Sequence, residues 1–314
     1  MGVIVGSGGT GSEGHSSVMS LPTGTSDPGS AAAGDMYYKT DTKKIRIYDG
    51  SSWDDLASGS SGVAYTSGSG SGLIFDCDFG RLTGFSDGAG ISDGTNLADA
   101  LSHNTTDWSS SSSNSPLNMN SGSCNFKTSN GGHIDTYSNQ GRIYAGAGSG
   151  NPAMSDKLNT AAMCIEGWYM YNGSQRDVLV SRYGGSDPNT GVNHSNQFNH
   201  ILDPGGQFHF NSGGVGAGGG NVDWDSFGDN VWFHCIWQYA SGTHYWWVNG
   251  SQKGTQSAGS SLAVASNTGF GIASRADRFE DLEGKIAIVR IYNRVLTSTE
   301  IATHFNAERG RFGI

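Results

Sequence analysis

From Leu73 onward the chain is cut into short runs of bulky residues, each bounded by a cluster of Gly, Ser, Asn or Asp. That punctuation leaves room for strands and for very little helix. The runs lie at Leu73 to Phe79, Cys124 to Thr128, His133 to Tyr137, Met163 to Tyr171, Asp177 to Tyr183, Gln207 to Asn211, Val231 to Tyr239, Thr243 to Asn249, Gly269 to Ala273 and Lys285 to Tyr292. They predict an all-β fold, a two-sheet antiparallel jelly-roll sandwich. The 50 Gly among 314 residues would alone suggest low complexity, but 8 Trp, 12 Tyr and 13 Phe need a core to bury them.

Local signals sharpen this reading. Asn249 and Gly250 accept the positive φ of a tight hairpin turn and follow a strand of bulky residues. Lys285 to Tyr292 alternates Ile286, Ile288 and Arg290 against Ala287, Val289 and Ile291, a strand with two largely apolar faces. Thr297 stands three residues before Glu300 as a capping box, and Ile301, His304, Phe305 and Glu308 mark a short amphipathic helix ending at Gly310. Trp168, Trp232 and Trp237 lie within strands and read as core, and the adjacent Trp246 and Trp247 must face opposite sides of theirs.

Three regions follow in order. Residues 1–56 form a front segment in which Met36 to Thr40 and Lys44 to Asp49 make a β-hairpin around Asp41 and Thr42. A lone hairpin is marginal in water, so Tyr37, Ile45, Ile47 and Trp53 are expected to form an assembly interface. Residues 57–72 have the composition of a Gly/Ser linker, and 73–314 form the sandwich.

Charge excludes some partners. A net charge of −10 without clustered Lys and Arg argues against nucleic acid. No apolar run is long enough to insert into a membrane, and the start MGVIVGSGGTGSEG has no signal-peptide pattern, which predicts synthesis in a cytoplasm. Cys77, Cys124, Cys164 and Cys235 are dispersed without metal spacing and read as reduced, buried thiols.

Three segments resemble the laminin-G-like branch of the concanavalin A-like lectin/glucanase fold: MCIEGWYMYNGSQRDVLVSRYG from Met163, the pair VWFHCIWQY and HYWWVNGSQKG, and LEGKIAIVRIYNRVLTSTEIATHFNA from Leu282. With LIFDCDFG as a first strand, the resemblance spans roughly residues 73 to 314. The string GDMYYKTDTKKIRIYDGSSW is similar to a short module of bacteriophage tail-fibre and other virion proteins. Together the two resemblances imply a virion structural protein, a tail fibre or a head fibre or decoration, presenting a lectin-like domain to host-surface glycans. They also imply a homo-oligomer, a trimer first, held to other virion proteins by its front. A purely structural capsid or tail cement protein and a bacterial lectin or adhesin are the alternatives.

Hydrolysis is tested because the fold includes glucanases. Glycosidases need two carboxylates at defined separation, and enzymes of this fold keep them on one strand as Glu-x-Asp-x-Glu, a string absent here. The six Glu are Glu13, Glu166, Glu280, Glu283, Glu300 and Glu308; Asp281 and Glu283 alternate, but Lys285 follows. The expectation is a protein that is not an enzyme. His194, His200 and His209 have no ligand-spaced partner for zinc and read as loop or surface histidines. Binding has suitable parts in two loops: Tyr183, Asp187, Asn189 and Asn193, and Trp224 with Asp225. A ring offers a platform for an apolar sugar face, and amides meet hydroxyls. Asp223, Asp225 and Asp229 leave calcium open as a cofactor, although a solvated turn explains them equally.

Overall fold

The computed structural model describes residues 21–32, 34–42, 44–48, 50–56, 72–92, 95–97, 100–101, 117–136, 141–145, 160–171, 176–182, 198–203, 207–211, 230–257, 270–275 and 281–314. The chain falls into two units, Met1–Ser61 and Gly62–Ile314.

The front unit is a four-stranded sheet rather than a hairpin. Its strands β1 (Thr23–Gly24), β2 (Met36–Lys39), β3 (Lys44–Tyr48) and β4 (Trp53–Leu56) lie in sequence order. Gly50, at a φ of 104°, lets the chain turn back after β3, so Trp53 opens a further strand opposite Tyr48 instead of packing as a loop residue. Alternation places Tyr37, Arg46, Tyr48 and Trp53 on one face and Met36, Tyr38, Ile45 and Ile47 on the other. The first face has a small core of its own. Tyr37 is buried edge-on against Trp53 at 4.9 Å, Trp53 Nε1 donates to the Pro28 carbonyl at 3.1 Å, and Asp27 accepts from Tyr37 and Arg46.

The second unit is the sandwich. Its strands are β5 (Leu73–Asp78), β6 (Gly90–Ser92), β7 (Leu117–Ser121), β8 (Ser123–Lys127), β9 (His133–Asp135), β10 (Arg142–Ala145), β11 (Ala162–Tyr171), β12 (Asp177–Arg182), β13 (Phe198–Asp203), β14 (Gln207–Asn211), β15 (Trp232–Ala240), β16 (Thr243–Val248), β17 (Ser251–Ser257), β18 (Phe270–Ile272) and β19 (Gly284–Tyr292). One sheet has six strands in the order β14-β13-β12-β18-β10-β7. The other has nine, β17-β16-β15-β11-β19-β9-β8-β6, with β5 also paired to β19. Between them lies one apolar core, to which the larger sheet contributes Ile165, Phe233, Trp237 and Trp246 and the smaller one Ile143, Leu179, Phe198 and Ile272. Each such side chain withdrawn from water is worth roughly 1.5–3 kcal/mol.

The Asn249–Gly250 turn forms as expected, both residues at positive φ (47° and 75°), and joins Val248 to Ser251. The strict alternation expected in β19 does not hold. Ala287 is an extra residue at a bulge, because Trp168 faces Ile288 while Tyr169 faces Ile286. The bulge sends Ile286, Val289 and Ile291 into the core and turns Ile288, Arg290 and Tyr292 to the outer face.

One α-helix occurs among the described residues, α1 (Ser298–Phe312), with the expected capping box between Thr297 and Glu300. It runs past Gly310 to a left-handed cap at Gly313. Phe312 stacks on Trp168 at 4.2 Å, and this burial outweighs the roughly 1 kcal/mol that a helical glycine costs. Trp246 is buried in the main core, whereas Trp247 is half-buried on the outer face beside Leu296 and Ile301.

All four thiols are free and buried, and burial pushes those of Cys77, Cys164 and Cys235 well up and that of Cys124 to about 12. A thiol-specific reagent at neutral pH should therefore leave the native protein unmodified and titrate four groups in denaturant. Rapid modification of the folded chain would contradict this packing.

Candidate binding surface

The register of the six-stranded sheet gathers the candidate surface. Asn118, Tyr144, Gly271, Ser181, Asn199 and Asn211 sit opposite one another across all six strands, a single row of amide, hydroxyl and glycine positions. At Tyr144, Gly271, Ser181 and Asn199 the row lies on the face turned away from the inter-sheet core, because the alternate positions Ile143, Ile272 and Val180 belong to that core. Tyr144, Ser181 and Asn199 are buried, and Asn199 Oδ1 has no hydrogen-bond partner among the described residues.

One step beyond this row, at Leu117, Ala145, Phe270, Arg182 and Phe198, five strands reach the same end of the sheet, and β14 ends there in the row itself at Asn211. From those ends run the segments 102–116, 146–159, 183–197, 212–229 and 258–269, while the opposite ends of β7 and β13 connect through Gly122 and 204–206. The antiparallel order thus delivers five long Gly-, Ser- and Asn-rich connections to one end of a rigid sheet. Such a scaffold is how folds position binding residues.

Tyr183, Asp187, Asn189 and Asn193 lie outside the described residues, as do Trp224, Asp225 and the calcium candidates Asp223 and Asp229. The anchors of their two loops are described. Arg182 and Phe198, which bound the first loop, sit in neighbouring strands, and Asn211, which opens the second, pairs with Asn199. Arg182 is buried, and that burial pushes its guanidinium down to about 10.

The histidine reading needs one correction. His200 is neither a loop nor a surface residue: it lies on β13, fully buried, with Nε2 3.6 Å from Cys235 Sγ across the core. Burial pushes His200 down to about 3 and the Cys235 thiol up, so the pair is neutral and lacks the thiolate a nucleophile requires. His209 is on β14, and His194 lies outside the described residues. Among the described residues no group of three His, Cys, Asp or Glu is placed to hold a metal, and no helix is long and apolar enough to cross a membrane.

Two of the carboxylates weighed for hydrolysis, Asp281 and Glu300, are engaged in ion pairs. Asp281 is bidentate with Arg142 at 2.6 and 2.7 Å, and Glu300 pairs with Arg294 besides capping α1. Glu166 centres a cluster that sequence inspection missed. It accepts from Tyr292 at 3.0 Å, contacts His234 Nε2 at 2.9 Å and His304 Nδ1 at 3.1 Å, and lies 3.6 Å from Arg290. Burial alone would raise its carboxyl, but hydrogen bonds from His234 and His304 with the charge of Arg290 hold it well below the usual range. The available signal was one ionisable residue within each of three largely apolar strands: Glu166, His234 and Arg290.

The two-sheet antiparallel sandwich is a lectin-like architecture. The family matching residues 145–302 is described as the concanavalin A-like lectin/glucanases superfamily, of laminin G type, and the chain belongs to it. No curated protein matches the sequence. Among solved structures, the chain is similar to the binding domain of botulinum neurotoxin DC in complex with SialylT, at 13% identity over 53% of this chain and 39% of that one, TM-score 0.39. It is similar also to the binding domain of Paraclostridial mosquitocidal protein 1 (13% identity, 56% of this chain and 43% of that, TM-score 0.41). A third is a Trypanosoma rangeli sialidase mutant displaying trans-sialidase activity (13% identity, 77% of this chain and 34% of that, TM-score 0.45). The chain spans less than half the length of each.

Proposed function

We propose that the sandwich is a non-enzymatic glycan-binding module and that the whole chain is a bacteriophage virion protein, a tail fibre or a head fibre or decoration, that presents it. One observation carries the binding role: the anchors of five long connections, rich in Gly, Ser and Asn, lie at the same end of the six-stranded sheet. Membership of a lectin fold supports it, and the missing strand of paired carboxylates supports the lack of hydrolysis. The virion role is supported by the front segment GDMYYKTDTKKIRIYDGSSW alone.

The five segments hold Lys157 as their one Lys or Arg against Asp107, Asp156, Asp187, Asp223, Asp225 and Asp229. Neutral sugars are the expected ligands, since an acidic glycan would meet like charge. A glycan array read with and without calcium tests this together with a reducing-sugar assay. Binding to neutral glycans should fall at least roughly tenfold in Trp224→Ala, in line with the loss of one ring platform, and no reducing ends should be released. An array blank under both conditions would reject glycan binding and leave a cement role. Steady release of reducing ends would show an active site.

A further inference from the structure

We propose that α1 is an acid-released strap, which leaves the nine-stranded sheet at a pH where the two-sheet core is still folded. No α1 side chain belongs to that core. Ile301 packs with Ile236 and Leu296, and Phe312 with Trp168 and Trp232, in two separate clusters on the outer face.

The remaining bonds between helix and sheet depend largely on carboxylates. Glu308 accepts from Trp168 Nε1 at 2.6 Å and from Arg290 Nη2 at 2.5 Å. His304 reaches both oxygens of Glu166 at 3.1 Å, and Arg311 donates to both oxygens of Asp78 at 2.9 Å. The groups facing Glu166 are His234 from β15, Arg290 and Tyr292 from β19 and His304 from α1, with Cys164 two residues away on its own strand. Arg290 also meets Asp76 of β5 at 3.1 Å, and Asp76 takes Arg81 at 3.3 Å.

Protonation of Glu166 removes the charge of the carboxylate that His234 and His304 share and that lies 3.6 Å from Arg290. Arg290 then loses part of its counter-charge where water is excluded, and the imidazoles of His234 and His304 lose their charged acceptor. Such a state is costly. It is relieved when the helix, which carries His304 and Arg311, lets water in. The apolar core between the sheets has no part in that exchange. A carboxylate held below its unfolded value stabilises the folded form above that value and loses this stabilisation as pH falls through the folded value. Glu166 is held well below 4.5, so the strap stays closed through mild acid and opens below that pH.

Hydrogen exchange of the full chain over a descending pH series, corrected for intrinsic rates, tests the strap directly. Amides of Ser298–Phe312 should lose protection at a higher pH than those of β11, β15 and β19. In Glu166→Gln/Glu308→Gln the helix should exchange roughly tenfold faster at neutral pH, as expected for lost charge-assisted hydrogen bonds, with the strands still protected and the acid step gone. The proposal is overturned if helix and strands lose protection at one common midpoint, or if the double variant keeps the wild-type acid step. Should that variant fail to fold, the wild-type series alone separates a released strap from a single cooperative transition.

Discussion

Arg290→Met is expected to destabilise the sandwich by about 3–5 kcal/mol at neutral pH, the usual cost of removing one partner from a buried ionic cluster. Arg290 is fully buried and contacts Asp76, Glu308 and Glu166 together, so its loss leaves buried carboxylates facing one another. Met fills a similar volume, which keeps the cavity term small and isolates the charge effect. Arg290→Lys should recover little, because an ammonium cannot reproduce a guanidinium fork shared among separate carboxylates. Denaturant unfolding at neutral and at acid pH checks both points. The deficit should shrink in acid, where the stranded carboxylates can take up protons that the wild type resists. A loss below about 1 kcal/mol at neutral pH would mean that Arg290 contributes only what a surface pair does.

The strands that sequence inspection located are those whose own residues bury, such as β11, β15 and β19, together with the Asn249–Gly250 turn and the Thr297–Glu300 cap that local chemistry dictates. β17, of sequence SQKGTQS, carries no bulky residue and is a strand only because the turn before it sets its register against β16. Short edge and inner pieces such as β7 and β10 likewise take their form from partners distant in the chain. The bulge at Ala287 is invisible in a run that alternates perfectly, and it is the step that turns Arg290 toward the helix instead of the core. Cluster members Glu166, His234 and His304 are separated by long stretches of sequence and meet only through pairing. The candidate loops were legible from composition. That their anchors share one end of the sheet was not, because it depends on the antiparallel order of six strands.

Trp53→Ala in the full chain is expected to unfold the front unit while the sandwich keeps its wild-type transition. Trp53 packs against Tyr37 at 4.9 Å and Tyr48 at 5.4 Å, donates to Pro28, and its carbonyl accepts from Arg46. Truncating a packed Trp costs roughly 3–5 kcal/mol. A sheet of this size has little more than that to lose, since small units bury a small share of their surface. The pair Ile45→Ser/Ile47→Ser acts on the other face and separates local folding from assembly. If that face joins chains, as the assembly reading holds, the double variant keeps Tyr37 and Trp53 packed but shows a lower mass by light scattering. Far-ultraviolet melting and limited proteolysis would report the two units separately. A front unit that stays protected in Trp53→Ala would show that its fold does not depend on this ring, and an unchanged mass in the isoleucine variant would remove Ile45 and Ile47 from any interface between copies.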